Sequence, residues 1–339
     1  MKKKILFISF IFLLIASTTF AGDISRIGTT SGSQLLIPVG ARSIALGSAV
    51  VSEVKGAEAI YYNPAGMAAT TKSEILFNNM TYIADIKVNY FAGLFNGGNI
   101  GSFGLSIKSL DFGDIAETTE IYPDGTGDTY SPSFVVLGLS YSRMLTDRIS
   151  AGLTGKYISE KIMETGASAL AIDLGVQYSF NNSLKLGVVM KNVGSKMQYD
   201  GRNLERTFTM PGTQPGSDNG YFRGVPLASD IPSIFSFGLS YAVNIAEENS
   251  VRFSGEFANF NDASDQVFGG LEYGFKDLFF LRGGYTYDSQ SPDDQIFGVS
   301  AGAGIKYPVG NFDFYLDYAY RQLTDYFDAN HVFTIKLGL

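Results

Sequence analysis

The 339-residue sequence has no cysteine, no tryptophan and a single histidine, His331. Disulfides, thiol nucleophiles, cysteine-ligated zinc, iron–sulfur clusters and multi-histidine metal sites are therefore excluded. Charged residues are also scarce, at 17 % against roughly 25 % in soluble domains. Glycine (39 residues), phenylalanine (27) and tyrosine (20) stand in their place. Disordered chains are poor in aromatics, so this composition argues for an ordered fold, and so much glycine argues against a helix-rich enzyme. Beyond residue 21 no apolar run reaches the roughly 18 residues that a spanning helix needs. A membrane role must use strands.

Lys2, Lys3 and Lys4 precede an apolar stretch from Ile5 to Ala16, and Ser17-Thr18-Thr19-Phe20-Ala21 supplies a small-residue cleavage region before Gly22. This pattern predicts a secretory signal peptide over residues 1–21, and the missing cysteine predicts that no lipid anchor follows it. Removing it takes three lysines from the 25 basic residues, leaving 22 against 33 acidic ones and a net charge of −11. Such a chain is a poor nucleic-acid ligand.

Period-two alternation runs through most of the rest. Leu170, Ile172, Leu174, Val176 and Tyr178 interleave with Ala171, Asp173, Gly175, Gln177 and Ser179; Phe235, Phe237, Leu239, Tyr241 and Val243 interleave with Ser236, Gly238, Ser240 and Ala242. Side chains in a strand alternate between faces, so each segment has one large apolar face and one small or polar face. Several segments reach the roughly 9–11 residues with which a tilted strand crosses a bilayer. Fourteen strands are predicted, starting near residues 74, 87, 100, 133, 148, 168, 184, 233, 250, 266, 279, 296, 312 and 331. Short turns such as Asn96-Gly97-Gly98-Asn99, Asn181-Asn182 and Lys276-Asp277 alternate with longer connections at 111–131, 159–167, 195–232, 259–265, 287–295 and 322–330. Only the first hairpin, at Ala84-Asp85, is short on the long-loop side.

That alternation is the pattern of an outer-membrane barrel. Tyr141, Tyr178, Phe180, Tyr241, Tyr273, Phe275 and Tyr307 fall where an interfacial aromatic girdle would lie. A soluble β-sandwich shares the face alternation but not the export signal, the strand length or the loop alternation. The expected class is all-β, a 14-stranded antiparallel transmembrane β-barrel over residues 73–339, in the bacterial outer membrane and in contact with its lipid. Parity places Asp173, Gln177, Lys306, Asp313 and Asp317 on the lumen side.

Residues 22–72 break the alternation. Alanine-rich pieces with Gly and Asn-Pro suggest short helical turns and tight bends, and two arrangements fit: a plug inside the barrel or a periplasmic extension. In a plug, Arg42 and Glu58 are the charges expected to meet lumen partners. Asn63-Pro64-Ala65-Gly66 is expected to be a locking turn without catalytic role. Pro64 fixes φ, Asn63 can bond nearby backbone, and Gly66 allows positive φ or close chain approach. The longest connection carries Met197, Tyr199, Phe208, Met210, Tyr221 and Phe222. It either presents these as a docking surface or folds inward to cap the barrel.

Gly40-Ala41-Arg42-Ser43-Ile44-Ala45-Leu46-Gly47, followed by Tyr62-Asn63-Pro64-Ala65-Gly66-Met67-Ala68, resembles the N-terminal region of FadL-like outer-membrane proteins. Together with Ile27-Gly28-Thr29-Thr30, Tyr82-Ile83-Ala84-Asp85-Ile86, Asp111-Phe112-Gly113-Asp114, Lys196 to Arg202 and Phe280 to Tyr285, the sequence is similar, more closely, to the PorV/PorQ family within that superfamily. The resemblance implies an N-terminal internal hatch over residues 22–72. It implies either of two roles. One is type IX secretion, with a secretion translocon, surface attachment proteins and the C-terminal domains of secreted cargo as partners. The other is uptake of hydrophobic small molecules.

Enzymatic chemistry finds no support. His331 sits where the last long loop enters the final strand, a rim position, and Gly302-Ala303-Gly304 lacks the following helix of a dinucleotide loop. Asp124-Gly125-Thr126-Gly127-Asp128, and Asp288 with Asp293 and Asp294, suit turns and do not match the spacing of a calcium-binding EF-hand. No catalytic residue, cofactor or metal ligand is expected.

Overall fold

The computed structural model describes residues 27–208, 220–289, 295–323 and 327–339. The expected signal segment, Met210, Asp293 and Asp294 lie outside the described residues. Fourteen long strands follow one another: β1 (Glu74–Thr81), β2 (Lys87–Asn96), β3 (Ser102–Asp111), β4 (Ser133–Met144), β5 (Ile149–Ile162), β6 (Thr165–Ser179), β7 (Leu184–Gly194), β8 (Ile234–Ala246), β9 (Asn249–Phe260), β10 (Gln266–Phe275), β11 (Phe279–Asp288), β12 (Phe297–Val309), β13 (Phe312–Leu323) and β14 (Asn330–Gly338). Each pairs antiparallel with the next, and β14 returns to β1 with Phe77 opposite Ile335, so the sheet closes and leaves no edge.

The predicted strand starts lie within three residues of these bounds. One expected connection is corrected: over 159–167 the two strands continue to Ile162 and from Thr165, leaving only a tight turn. Glu160, within that stretch, is buried on the inward face and accepts the hydroxyl of Tyr199.

The wall is apolar outward and polar inward, the inverse of a soluble domain. Leu139 (68 % exposed), Leu170, Leu281 and Phe333 point out, while their neighbours Ser140, Ala169, Arg282 and Thr334 are buried within. Such an outer band suits lipid, and this decides against a sandwich. The aromatic residues Phe180, Tyr241, Tyr273 and Tyr307 are exposed at the short-turn end.

The hydrophobic core lies between this wall and residues 31–70, which fill the lumen as a hatch. Short helices α1 (Ala41–Ala45) and α2 (Ala59–Tyr62), with tighter helical turns at Ser33–Leu35, Gly56–Glu58 and Pro64–Ala69, bring Val39, Leu46, Val50, Val54, Ile60 and Met67 against Leu76, Tyr90 and Leu94. The segment runs the depth of the barrel. At the long-loop mouth Ser31 N–H donates to Asp230 O (2.9 Å) and Gly28 N–H to Asp262 O (3.3 Å); at the short-turn mouth Lys72 Nζ reaches Asn311 O (2.8 Å) and Asp313 (2.9 Å).

Candidate functional site

Helices this short leave most backbone groups without intrahelical partners. The polar lumen face of the strands supplies them. Thr334 Oγ1 accepts Ala41 N–H (2.8 Å), Ser300 Oγ accepts Gly47 N–H (3.1 Å), Glu74 accepts Ala57 N–H (2.8 Å), and Gln177 Nε2 donates to Val51 O (3.1 Å) and Val54 O (3.0 Å). Each net contribution is about 1 kcal/mol, so the grip is a sum of many weak bonds.

The Asn63-Pro64-Ala65-Gly66 stretch is the point where hatch and wall interlock. Asn63 is an N-cap whose Oδ1 accepts Ala65 N–H (3.2 Å), with Pro64 at the first helical position where its missing N–H costs nothing. Asn63 Nδ2 donates to Val51 O (2.8 Å) and, across the gap, to Val176 O of β6 (3.2 Å). The wall is cut away to receive it: a Cβ on Gly175 would stand 2.0 Å from Asn63 Oδ1, and one on Gly152 would stand 2.4 Å from Pro64 C. Gly66 serves close approach, since a Cβ there would meet Val54 O at 2.1 Å.

On the opposite wall a charge network joins hatch to barrel. Arg42 of α1 meets Glu53 (2.7 Å) and Glu272 of β10 (3.2 Å); Arg252 bridges Glu53 (3.3 Å) and Glu272; Arg282 holds Glu272 (2.7 Å) and Asp317 (2.6 Å). Arg42 therefore finds a barrel carboxylate, with Asp317 one link further on. Glu58 has no ion-pair partner among the described residues and instead accepts Ser43 N–H within the hatch (3.2 Å). This corrects the expectation of a lumen partner for Glu58: a nearby backbone donor on the same segment takes the carboxylate. Lys72 with Asp313, and Lys156 with Asp173 (2.6 Å), are further pairs.

Burial works to lower the Arg42 pKa, but Glu272, Glu53 and Glu58 outweigh it and hold the value above the ordinary one. Burial likewise pushes Glu53 up, while Arg42 and Arg252 bring it below the ordinary carboxylate value. For Glu58 burial wins over Arg42 and the Ser43 N–H, and the value is raised. The stability tied to Glu53 is present above the ordinary carboxylate value and is lost as pH falls through its lowered value. That tied to Glu58 is full below the ordinary value and is lost as pH rises through its raised one. The hatch is therefore held best in the mildly acidic window between them. Limited proteolysis should find it better protected in mildly acidic buffer than in alkaline buffer, and less protected again in strong acid. Glu58→Gln should abolish the alkaline decline, and an unchanged decline would refute this assignment.

The long loop between β7 and β8 divides into two parts. Its base folds inward: Met197 is fully buried with Leu35 and Ile231 and bridges to Ser229, and half-buried Tyr199 bonds Glu160. Met197 is thus a capping residue and not part of an exposed docking face. Its apolar side chain fills the gap above Gly32. Further out, Glu205–Phe208 and Gly220–Arg223 form a hairpin that exposes Tyr221 (77 %) and Phe222, followed by Leu227 (92 %). His331 lies at the rim beside Tyr318, whose hydroxyl is 2.8 Å from Nδ1.

Among the cavities that border the hatch, two hold charged side chains of both signs. The one toward the short-turn side, about 290 Å³, is lined by the charge network, and the one toward the long loops, about 300 Å³, by aromatic residues with Lys191, Glu256 and Arg321.

Sequence reasoning missed Glu53, Glu272, Arg252 and Arg282. One signal was available: a hairpin turning at Lys276-Asp277 places Glu272 directly opposite Arg282.

The fold has solved counterparts. The CymD monoaromatic hydrocarbon channel superposes with a TM-score of 0.52 at 13 % identity, covering 89 % of this chain and 97 % of the other. A FadL homologue from Pseudomonas aeruginosa gives 0.53 at 14 %, covering 89 % and 98 %, and the P. putida toluene transporter TodX gives 0.53 at 12 %, covering 88 % and 97 %. At these identities the likeness is one of fold alone, that of a FadL-like barrel. No curated protein sequence matches the chain. The family described as Type IX secretion system protein PorV matches residues 20–212, which span the hatch and strands β1 to β7. Because this match covers more than half the sequence, and the filled fourteen-stranded barrel agrees with it, the chain belongs to the PorV family.

Proposed function

We propose that this chain is a non-enzymatic component of type IX protein secretion. In this reading residues 1–21 are a signal peptide removed on export, residues 22–72 the hatch and residues 73–339 the barrel. The long loops engage translocon or attachment proteins and the C-terminal domains of cargo. The family match carries the reading. Two features of the molecule support it: a lumen filled by a hatch that is bonded to the wall at many points, and a hairpin that projects Tyr221, Phe222 and Leu227 from a rigid frame. Large exposed aromatics on such frames anchor protein interfaces.

A second reading, uptake of hydrophobic small molecules, draws on the aromatic cavity above the hatch and on the hydrocarbon channels and transporters that share the fold. Affinity capture of the tagged protein from cross-linked outer membranes separates the two. The secretion reading expects translocon or attachment subunits and proteins bearing the cargo C-terminal domain to be recovered, and expects the recovery to fall several-fold in a variant with Tyr221→Ser and Phe222→Ser. Absence of such partners, with ligand uptake lost on deletion of the gene, would replace it with the second.

A further inference from the structure

The apolar band on the outer wall is tall on one side of the barrel and short on the other. Seven residues from the short-turn end of their strands (Ala246 to Leu239, for example) stand Leu137 of β4, Ile172 of β6 and Leu239 of β8, all outward and exposed. At the same distance on the neighbouring strands (Asn96 to Asn89, for example) stand Thr81 of β1, Asn89 of β2, Ser109 of β3 and His331 of β14. These four share the outward faces that carry Phe77, Phe91, Ile107 and Phe333. A strand rises about 3.4 Å per residue and tilts about 40° in such a barrel, so this level lies about 18 Å from the short-turn end. That is inside a lipid-facing band that is ordinarily about 25 Å tall. On β8 the outward side chains stay apolar from Ile245 to Phe235, a height of about 26 Å. On β2 and β3 the large apolar side chains end at Phe91 and Ile107, after about 10 Å.

Polar groups replace the missing band in an ordered row. Asn79 faces Asn89 across β1 and β2, Asn89 faces Ser109 across β2 and β3, and Asn79 Nδ2 donates to Asn89 Oδ1 (2.8 Å). One bond cannot satisfy two amides, each with two N–H donors and a carbonyl, and acyl chains offer nothing to the remainder. One pair nearer the long loops, Lys87 lies between Thr81 and Asp111. Beside them Tyr318 and Tyr320 of β13 pack on His331, and the Tyr318 hydroxyl is 2.8 Å from His331 Nδ1. Amphipathic rings of this kind sit at the headgroup level of a bilayer. Tilting the barrel would move both edges of the band together and cannot lengthen its short side.

We propose that the leaflet on the long-loop side dips to the level of Asn89 and Ser109, so that lipid headgroups and their water, and not acyl chains, cover β14, β1, β2 and β3 above it. The barrel thereby carries a locally thinned membrane along one side. The partner of this surface is a lipid headgroup layer, met by uncharged amides and hydroxyls with aromatic rings at their flank. The bilayer accommodates a short apolar span by thinning at modest cost, whereas amides held among acyl chains would keep donors and acceptors unpaired. The inference rests on the reading of residues 73–339 as a membrane barrel and on neither of the two cellular roles.

The chain has no cysteine, so single introduced thiols report position without background. Asn89→Cys and Ser109→Cys, with Leu137→Cys and Leu239→Cys as references, are spin-labelled in the full-length barrel and reconstituted into dioleoylphosphatidylcholine vesicles. Depth is read by electron paramagnetic resonance, from relaxation by oxygen against relaxation by a water-soluble nickel chelate. The reference labels should read hydrocarbon depth. Labels at 89 and 109 should read headgroup level, at least about 5 Å shallower, although all four stand equally far along their strands. Ser109→Cys leaves the Asn79–Asn89 bond in place, so a shallow reading there does not arise from breaking that pair. Labels at 89 and 109 as deep as the references would overturn the proposal and leave a protein as the cover of the polar row. Headgroup-level readings at all four positions would overturn the membrane-barrel reading itself, and the proposal with it.

Discussion

Replacing Glu272 by alanine should free the hatch from the charged side of the wall. The substitution leaves Arg42, Arg252 and Arg282 converging on a vacated position with only Glu53 and Asp317 to balance them. Breaking a buried pair in this way costs roughly 3–5 kcal/mol, mostly from the partner charge left behind, and here three arginines lose a shared carboxylate at once while each keeps one other. The expected result is rapid proteolysis within residues 22–72 in a barrel that still shows heat-modifiable mobility. Lys72→Ala provides the contrast. Its pair with Asp313 is partly exposed, so its loss should change hatch protection by less than about 1 kcal/mol. Equal protection in Glu272→Ala and the parent would mean that the network does not hold the hatch.

The second large effect is expected at Gly66. Even one added methyl would meet Val54 O at 2.1 Å and the Ala59 side chain at 3.0 Å, and valine adds two more carbons where nothing can move without displacing the Asn63 turn. Overpacking costs about 1–3 kcal/mol, occasionally more, and it falls inside the hatch, on the turn that Asn63 and Pro64 present to β5 and β6. Gly66→Val should therefore raise protease sensitivity of residues 22–72 while the barrel remains inserted. Unchanged protection would refute the locking role of the turn. Loss of the barrel as well would show that the turn is required earlier, during assembly.

Much of the barrel was legible because its two faces obey opposite solvents. Leu170, Ile172 and Leu174 face outward and Asp173 and Gln177 inward, and a period of two is visible in any single strand without knowledge of its neighbours. The turns at Asn181-Asn182 and Lys276-Asp277 then fix the hairpins. Parity assigns a face but no depth, so it could place Asp317 in the lumen without revealing that Glu272 and Arg282 link it to Arg42. The connection expected over 159–167 has the same origin: near a strand end, polar residues on the inward face look the same as polar residues in a loop. Hatch positions are harder still, because Glu58 and Asn63 are governed by backbone groups at Ser43, Val51 and Val176 that only the packed chain brings near. The Asn-Pro-Ala-Gly pattern nevertheless made a bend legible, since an N-cap followed by proline carries its conformation with it.

The hatch is fastened at both mouths of the barrel, by Gly28 and Ser31 at one end and Lys72 at the other, and it continues without a break into β1. It is thus a thread through a ring, and β1 with β14 forms the clasp. A ring that fastened first would have to draw some forty residues through an opening that those residues themselves fill. The clasp must close around the thread, so the order of assembly is written into the connectivity. Withdrawal toward the short-turn mouth is constrained in the same way: the far knot at Gly28 and Ser31 must slip before any length can follow, which makes removal a single yielding event and not a gradual retreat.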